Sequence, residues 1–152
     1  MSYTMITGVS SLSPNNAEDV KLLSRPENKN GDNVKVILIS TAGSEGLDFK
    51  FIRQIHILNP WYTMNRLEQI IGRGVRNGSH CSLPFSQRNV EIYMHAAVYP
   101  AHHASRETAD LYLYRYAEKK AIQIGKVNRI LKEISVDCRL NTRQHDICLL
   151  YT

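Results

Sequence analysis

The run from Val34 to Ile39 constrains the fold more than any other part of the chain. It is apolar at every position but Lys35, and Val34, Val36, Ile37 and Ile39 are β-branched. So short and so β-branched a run reads as a strand, and apolar side chains at successive positions leave two faces to cover. That is the pattern of a parallel sheet with helices packed on it. Directly after it comes Ser40-Thr41-Ala42-Gly43-Ser44-Glu45-Gly46-Leu47-Asp48-Phe49, a glycine-bearing loop with a carboxylate. In open parallel sheets, ligands bind beyond the carboxyl ends of the strands. The loop occupies that position, so strand and loop together predict where a site lies.

A second segment carries complementary charge. Gln69-Ile70-Ile71-Gly72-Arg73-Gly74-Val75-Arg76 places a glutamine and two arginines at spacings of four and three. On a helix these positions share a face, and Arg66 extends the stripe backwards. Met64, Leu67, Ile71 and Val75 form the opposite, buried side, Thr63 is the expected N-cap, and Asn77-Gly78 ends the helix. A carboxylate loop facing an arginine stripe suits a phosphorylated ligand, because a guanidinium fork matches phosphate oxygens.

Other elements fall around these two. Tyr3 to Thr7 is β-prone, and Ala17 to Ser24 is a short helix with Val20 and Leu23 on one side. Arg25 to Asn33 is a polar loop. Gln54 to Leu58 is a strand ended by Asn59-Pro60. Trp61 and Tyr62 are expected to pack on the sheet rather than stack on bases. Val90 to His95 alternates as a strand with Val90, Ile92 and Met94 inward. Ser105 is the expected cap of an amphipathic helix of roughly 30 residues. Its apolar stripe runs through Leu113, Tyr116, Ala117, Ala121, Ile124, Val127, Leu131 and Ile134, and packs on the chain's own core in preference to a polymerase subunit. Gly125 inside it marks a kink or break. The whole predicts an α/β fold, a parallel sheet flanked by helices, with residues 1–100 as one lobe and 101–152 as a helical C-terminal extension.

Composition narrows the partners. The chain has 152 residues, 43% of them hydrophobic, enough for a folded core. Its net charge of +5 is modest, but Lys50, Arg53, Arg66, Arg73, Arg76 and Arg88 lie in a stretch whose one acidic residue is Glu68. Such a patch fits phosphate or nucleic acid. Cys81, Cys138 and Cys148 are an odd number and point to a reducing compartment. No run approaches the ~18 apolar residues of a membrane span, so no membrane partner is expected. His80 with Cys81, and Cys138, His145 and Cys148, match no zinc-knuckle spacing, so no metal site is expected.

The two motifs resemble motifs V and VI of superfamily 2 helicases. Motif VI corresponds to Gln69, Gly72, Arg73 and Arg76, and motif V to Ser40 through Asp48 with its two glycines. The segments Phe51 to Leu58, Asn59-Pro60-Trp61-Tyr62, Asn65-Arg66, Ser79-His80, Leu83-Pro84-Phe85 and Arg88-Asn89-Val90 are similar to the helicase-like ATPases of large cytoplasmic DNA viruses, of the poxvirus nucleoside triphosphate phosphohydrolase I type. Asp110-Leu111-Tyr112, Tyr114-Arg115, Ile124 to Val127 and Val136-Asp137-Cys138 extend the similarity.

This resemblance implies a RecA-like lobe, the second of a two-lobe motor. It implies that Arg73 and Arg76 are arginine fingers, that Gln69, Gly46 and Asp48 face the nucleotide, and that Ser40, Thr41 and Gly43 face a single- or double-stranded nucleic acid. The cofactor implied is ATP with magnesium. The phosphate loop and magnesium ligands are missing from the chain and belong to a first lobe, on another chain or lost. The opening strand and helix of the second lobe are expected before Tyr3, so the chain reads as a C-terminal fragment or split gene, inactive by itself. Viral transcription, with a viral RNA polymerase as partner in the virion or the cytoplasm of the infected cell, is the implied setting. The alternative is a non-catalytic nucleic-acid- or protein-binding module.

Overall fold

The computed structural model describes residues 2–41, 47–100 and 106–136. In chain order the elements are β1 (Tyr3–Ile6), α1 (Asn16–Leu23), β2 (Val36–Ile39), β3 (Gln54–Ile57), α2 (Met64–Gly74), β4 (Glu91–Met94) and α3 (Ala109–Glu133). Short 3-10 turns follow Arg25 and Pro84.

The strands pair in parallel as β1 with β2 and β3 with β4. Each pair encloses one helix in sequence, α1 in the first and α2 in the second. This is the strand–helix–strand connection that parallel pairing requires, because a tight hairpin cannot reverse the chain twice. Register is Tyr3 opposite Val36 through Ile6 opposite Ile39, and Gln54 opposite Glu91 through Ile57 opposite Met94. Among the described residues the expected sheet is therefore two two-stranded sheets.

The chain divides into two compact units, residues 1–57 with 68–94, and residues 58–67 with 95–152. In the first, Ile6, Leu23 and Phe49 form the buried centre, with Val20, Val34, Ile37, Leu47 and Ile52 against it. Residues from β1, α1 and the loop after β2 thus close on one point. Asn28 sets the entry to β2. It is buried, its Oδ1 accepts from the Asn33 and Val34 N–H groups at 3.1 and 2.9 Å, and its Nδ2 donates to the Val34 carbonyl at 3.2 Å. A buried amide that satisfies three backbone groups replaces ladder bonds the loop cannot make.

Burial on both faces of β2 does not hold. Leu38 and Ile39, successive residues that point to opposite faces, are exposed at 45% and 41%. The inward face expected for β4 is also absent, as Ile92 and Met94 are exposed. The opposite face carries cross-strand pairs fixed by the register. Gln54 Nε2 donates to Glu91 Oε2 at 2.8 Å, the Tyr93 hydroxyl donates to the same oxygen at 2.8 Å, and the His56 and Tyr93 rings stack at 4.7 Å.

In the second unit, α3 is capped by Thr108, whose Oγ1 accepts from the Leu111 N–H at 3.3 Å and donates to the Ala97 carbonyl at 2.7 Å. The expected cap, Ser105, lies outside the described residues. Glu107 stands before the helix and receives the Arg115 guanidinium through two bonds of 2.6 and 2.8 Å. The helix runs unbroken through Gly125. Its apolar stripe is buried only at Ala117, and Ile124, Val127, Leu131 and Ile134 are exposed. Packing of the whole stripe on the chain's own core is therefore not seen among the described residues. Tyr62 is exposed too, its ring stacked on Trp61 at 4.7 Å, with the Arg66 guanidinium over the indole at 4.3 Å. No described helix is long and apolar enough to cross a membrane.

Candidate functional site

The ends of the two sequence motifs meet. The C-terminal end of α2 is held to the segment after the β2 loop by the Phe49 N–H, which donates to the Arg73 carbonyl at 3.1 Å. Arg73 also turns its guanidinium back, donating to the Leu47 carbonyl at 3.4 Å. Arg76 forms an ion pair with Asp48. Two arginines and the motif aspartate are thus brought together by main-chain and side-chain bonds.

Gly74 makes the close approach possible. A Cβ there would lie 3.1 Å from Ile52 Cγ2 and 3.1 Å from Ile55 Cδ1, tighter than side chains normally tolerate. At Gly72 a Cβ would meet nothing within 4 Å. Of the two motif glycines, Gly74 is the one packing demands.

The helix ends at Gly74, earlier than the Asn77-Gly78 stop that composition predicts. Gln69 and Arg73 remain on it one turn apart, Gln69 exposed and Arg73 half-buried. Arg76 is carried instead by the following turn, so the expected helical stripe stops at Arg73. Val75 is outside the helix and exposed, not part of its buried side, whereas Leu67 is buried as expected. The turn is built by bonds from the Ser79 N–H to the Arg76 carbonyl at 3.0 Å and from the Arg76 N–H to Ser79 Oγ at 3.4 Å.

A second turn lies beside it. Phe51 has φ of 64°, the single positive φ outside glycine among the described residues. A bulky residue in the left-handed region costs roughly 1–2 kcal/mol, so its surroundings must hold it. The Phe51 N–H donates to the Ser79 carbonyl at 3.3 Å. His80 Nε2 lies 2.7 Å from the Ile52 carbonyl, and its Nδ1 lies 2.7 Å from Ser79 Oγ. Ser79 is buried and His80 half-buried.

Ser40 and Thr41 lie at the carboxyl end of β2, both exposed, and the Ser40 N–H continues the ladder to the Ile6 carbonyl at 3.0 Å. Gly43 and Gly46 lie outside the described residues. The basic stretch is not a uniform patch. Arg88 donates to the Leu83 and Cys81 carbonyls at 2.8 Å each, and Arg53 to Asn89 Oδ1 at 2.5 Å. These two arginines brace loops, which a charge count could not reveal.

Arg76 and Asp48 are each 55% exposed. An exposed pair contributes no more than about 1 kcal/mol, so it does little for folding. Its consequence is placement: a guanidinium held in the open, facing an oxygen ligand it can exchange for another. Arg73 is half-buried and tied to a carbonyl.

Residues 7–78 match the helicase conserved C-terminal domain. The β2 loop and the arginine turn both lie inside that range. The chain carries a helicase C-terminal domain. Its parallel strands and helices are the α/β, RecA-like architecture of that family. It is 40% identical over 114 residues to a protein of Acanthamoeba polyphaga mimivirus named as an ATP-dependent RNA helicase, covering 72% of this chain and 14% of that protein. Similarity to a protein of Invertebrate iridescent virus 3 named as a helicase is 33% over 151 residues, covering 95% of this chain and 15% of the other. The termination factor NPH-I homolog of African swine fever virus is 31% identical over 147 residues, 91% of this chain and 21% of that protein. All three relatives are viral, and this chain spans only 14% to 21% of their length.

Proposed function

We propose that this chain is the second RecA-like lobe of a nucleic-acid-dependent ATPase, with Arg73 and Arg76 as arginine fingers. The observation that supports this is the junction at the end of α2, where Asp48 meets Arg76 and Leu47 and Phe49 meet Arg73. A phosphoryl transition state spreads charge over its oxygens, and guanidinium groups positioned beforehand stabilise it. Asp48, Gly46 and Gln69 are assigned to the nucleotide, and Ser40, Thr41 and Gly43 to the nucleic-acid backbone. The exposed ends of Ser40 and Thr41 beyond β2 suit backbone contact.

ATP with magnesium fits one half of this chemistry. The arginines match phosphate charge, whereas among the described residues no group of three His, Cys, Asp or Glu side chains could hold a metal. Magnesium ligands are assigned to a first lobe supplied in cis or trans. Bound ATP would supply the phosphoryl electrophile; this chain's share is to orient and neutralise. Residues 101–152 are assigned as the helical extension, and transcription alongside a viral RNA polymerase, in the virion or host cytoplasm, as the setting. The printed names of two viral relatives, an ATP-dependent RNA helicase and a termination factor, support the use of ATP and the transcriptional setting.

The test is the ATPase rate of this chain combined with a first lobe bearing the phosphate loop, with and without single-stranded DNA or RNA. This chain by itself should hydrolyse ATP negligibly. Arg76→Lys keeps the charge but loses the planar fork. Where arginine fingers have been measured they are worth roughly 10³ to 10⁵ in rate, so most turnover should vanish while nucleotide affinity changes little. If Arg73→Lys and Arg76→Lys both leave the stimulated rate within about twofold of the parent, the fingers lie elsewhere.

A further inference from the structure

The finger turn and the turn after Asp48 are joined by a continuous chain of hydrogen bonds. It starts at the Arg76 N–H, passes through Ser79 Oγ and the His80 ring, and ends at the Ile52 carbonyl. A carbonyl can only accept, so His80 Nε2 carries a proton. In the neutral ring Nδ1 is then a lone pair that accepts a hydrogen bond from the Ser79 hydroxyl, leaving the Ser79 oxygen free to accept from the Arg76 N–H. All the donors and acceptors are used in one direction. A main-chain bond from the Phe51 N–H to the Ser79 carbonyl runs beside it and holds the left-handed Phe51.

We propose that Ser79 and His80 are positioning residues for the finger: their bonds clamp the turn carrying Arg76 to the turn that follows Asp48, so that the two side chains face each other. This rests on the reading of Arg76 as a finger. Both act through the main chain of Arg76, Phe51 and Ile52. Without the clamp, Phe51 loses its partners and relaxes out of the left-handed region. Asp48, three residues before it, then shifts relative to Arg76. Backbone strain held by a neighbouring network is a common means of fixing a catalytic group.

Two measurements on the chain as it stands test the clamp. Nitrogen-detected NMR of the imidazole should show that the neutral form of His80 carries its proton at Nε2, with Nδ1 bare. In Ser79→Ala the Arg76 amide should exchange at least tenfold faster, and in His80→Ala the Phe51 amide likewise, while amides of α3 stay unchanged. His80→Gln, whose amide can still donate to Ile52, should restore Phe51 protection. A neutral ring protonated at Nδ1, or exchange unchanged in both alanine variants, overturns the clamp.

A third measurement tests its catalytic use, in the same two-lobe ATPase. Ser79→Ala and His80→Ala should lower kcat at least tenfold with KM for ATP within twofold, and His80→Gln should recover part of kcat. A rate unchanged in both alanine variants, when Arg76→Lys has abolished it, overturns the positioning role and leaves the finger intact. A rate indifferent to Arg76→Lys sinks the finger and the positioning role together.

Discussion

Gly72→Ala and Gly74→Ala place the same methyl group two residues apart in α2 and should change stability in opposite directions. In a helix interior, alanine is favoured over glycine by roughly 0.8–1 kcal/mol. At Gly72 the new Cβ meets nothing within 4 Å, so that preference acts unopposed and the variant should be stabilised by about 0.5–1 kcal/mol. At Gly74 the gain is smaller, because this is the last helical residue. The Cβ there lies 3.1 Å from Ile52 Cγ2, 3.1 Å from Ile55 Cδ1 and 3.2 Å from Ile52 Cβ. Two β-branched side chains have few rotamers with which to retreat, and overpacking of this kind costs roughly 1–3 kcal/mol. The clash outweighs the propensity, and Gly74→Ala should lose about 1–2 kcal/mol net. Urea unfolding followed by circular dichroism reads both variants from the shift in midpoint at constant slope. Equal stability of Gly74→Ala and Gly72→Ala would show that α2 does not need a glycine to approach β3. The same displacement would move the turn that bears Arg76, so Gly74→Ala should also lose ATPase rate in the two-lobe assay, while Gly72→Ala should not.

Other outcomes follow from the same geometry. Asp48→Asn should change unfolding free energy by no more than about 1 kcal/mol, since the pair is exposed, yet weaken the stimulation of the ATPase by nucleic acid; a large stability loss with normal stimulation would contradict both halves. Binding of single strands should fall with salt, but with Arg53 and Arg88 tied to loops, the log–log slope should be no steeper than about −3; a slope matching all six basic residues, or none, counts against this. The Arg115 guanidinium holds the Glu107 carboxyl below its ordinary value by hydrogen bonding first and charge second. Because the folded value is depressed, the contribution to α3 is present above the unfolded carboxylate value and is lost as pH falls through the folded one. In Arg115→Ala, an NMR titration of Glu107 should move up toward the usual range, and no movement would show that the pair is not formed.

Element positions were largely legible because each rests on local pattern. The β-branched run at Val36–Ile39, the three-and-four spacing in α2 and α3, and the turn residues around Asn59-Pro60 and Asn77-Gly78 all speak within a window of a few residues. Burial was not legible in the same way. Leu38, Ile39, Ile92 and Met94 are apolar in sequence and exposed among the described residues, since burial depends on which segments lie opposite, and no local pattern encodes that. The cap of α3 was misplaced for a related reason: Ser105 and Thr108 are both acceptable caps by type, and the bond from Thr108 to the Ala97 carbonyl selects between them.

At the site, charge and spacing pointed to Arg73, Arg76 and Asp48, and the structure brings those three together. They did not show that Arg76 leaves the helix. The helix ends at Gly74, the residue packed closest to Ile52 and Ile55, and the chain turns there toward Ser79. Once off the helix, Arg76 no longer inherits its direction from helical periodicity, and something else must supply it. Ser79 and His80 supply it; in the sequence they follow the glycine of a turn and carry part of the family resemblance, which assigns them no role. Charge-bearing residues announce a phosphate site because their chemistry is their function. Residues that aim them act through main-chain atoms, and their partners at Phe51 and Ile52 lie more than twenty-five positions away. Only the folded chain puts the two turns side by side.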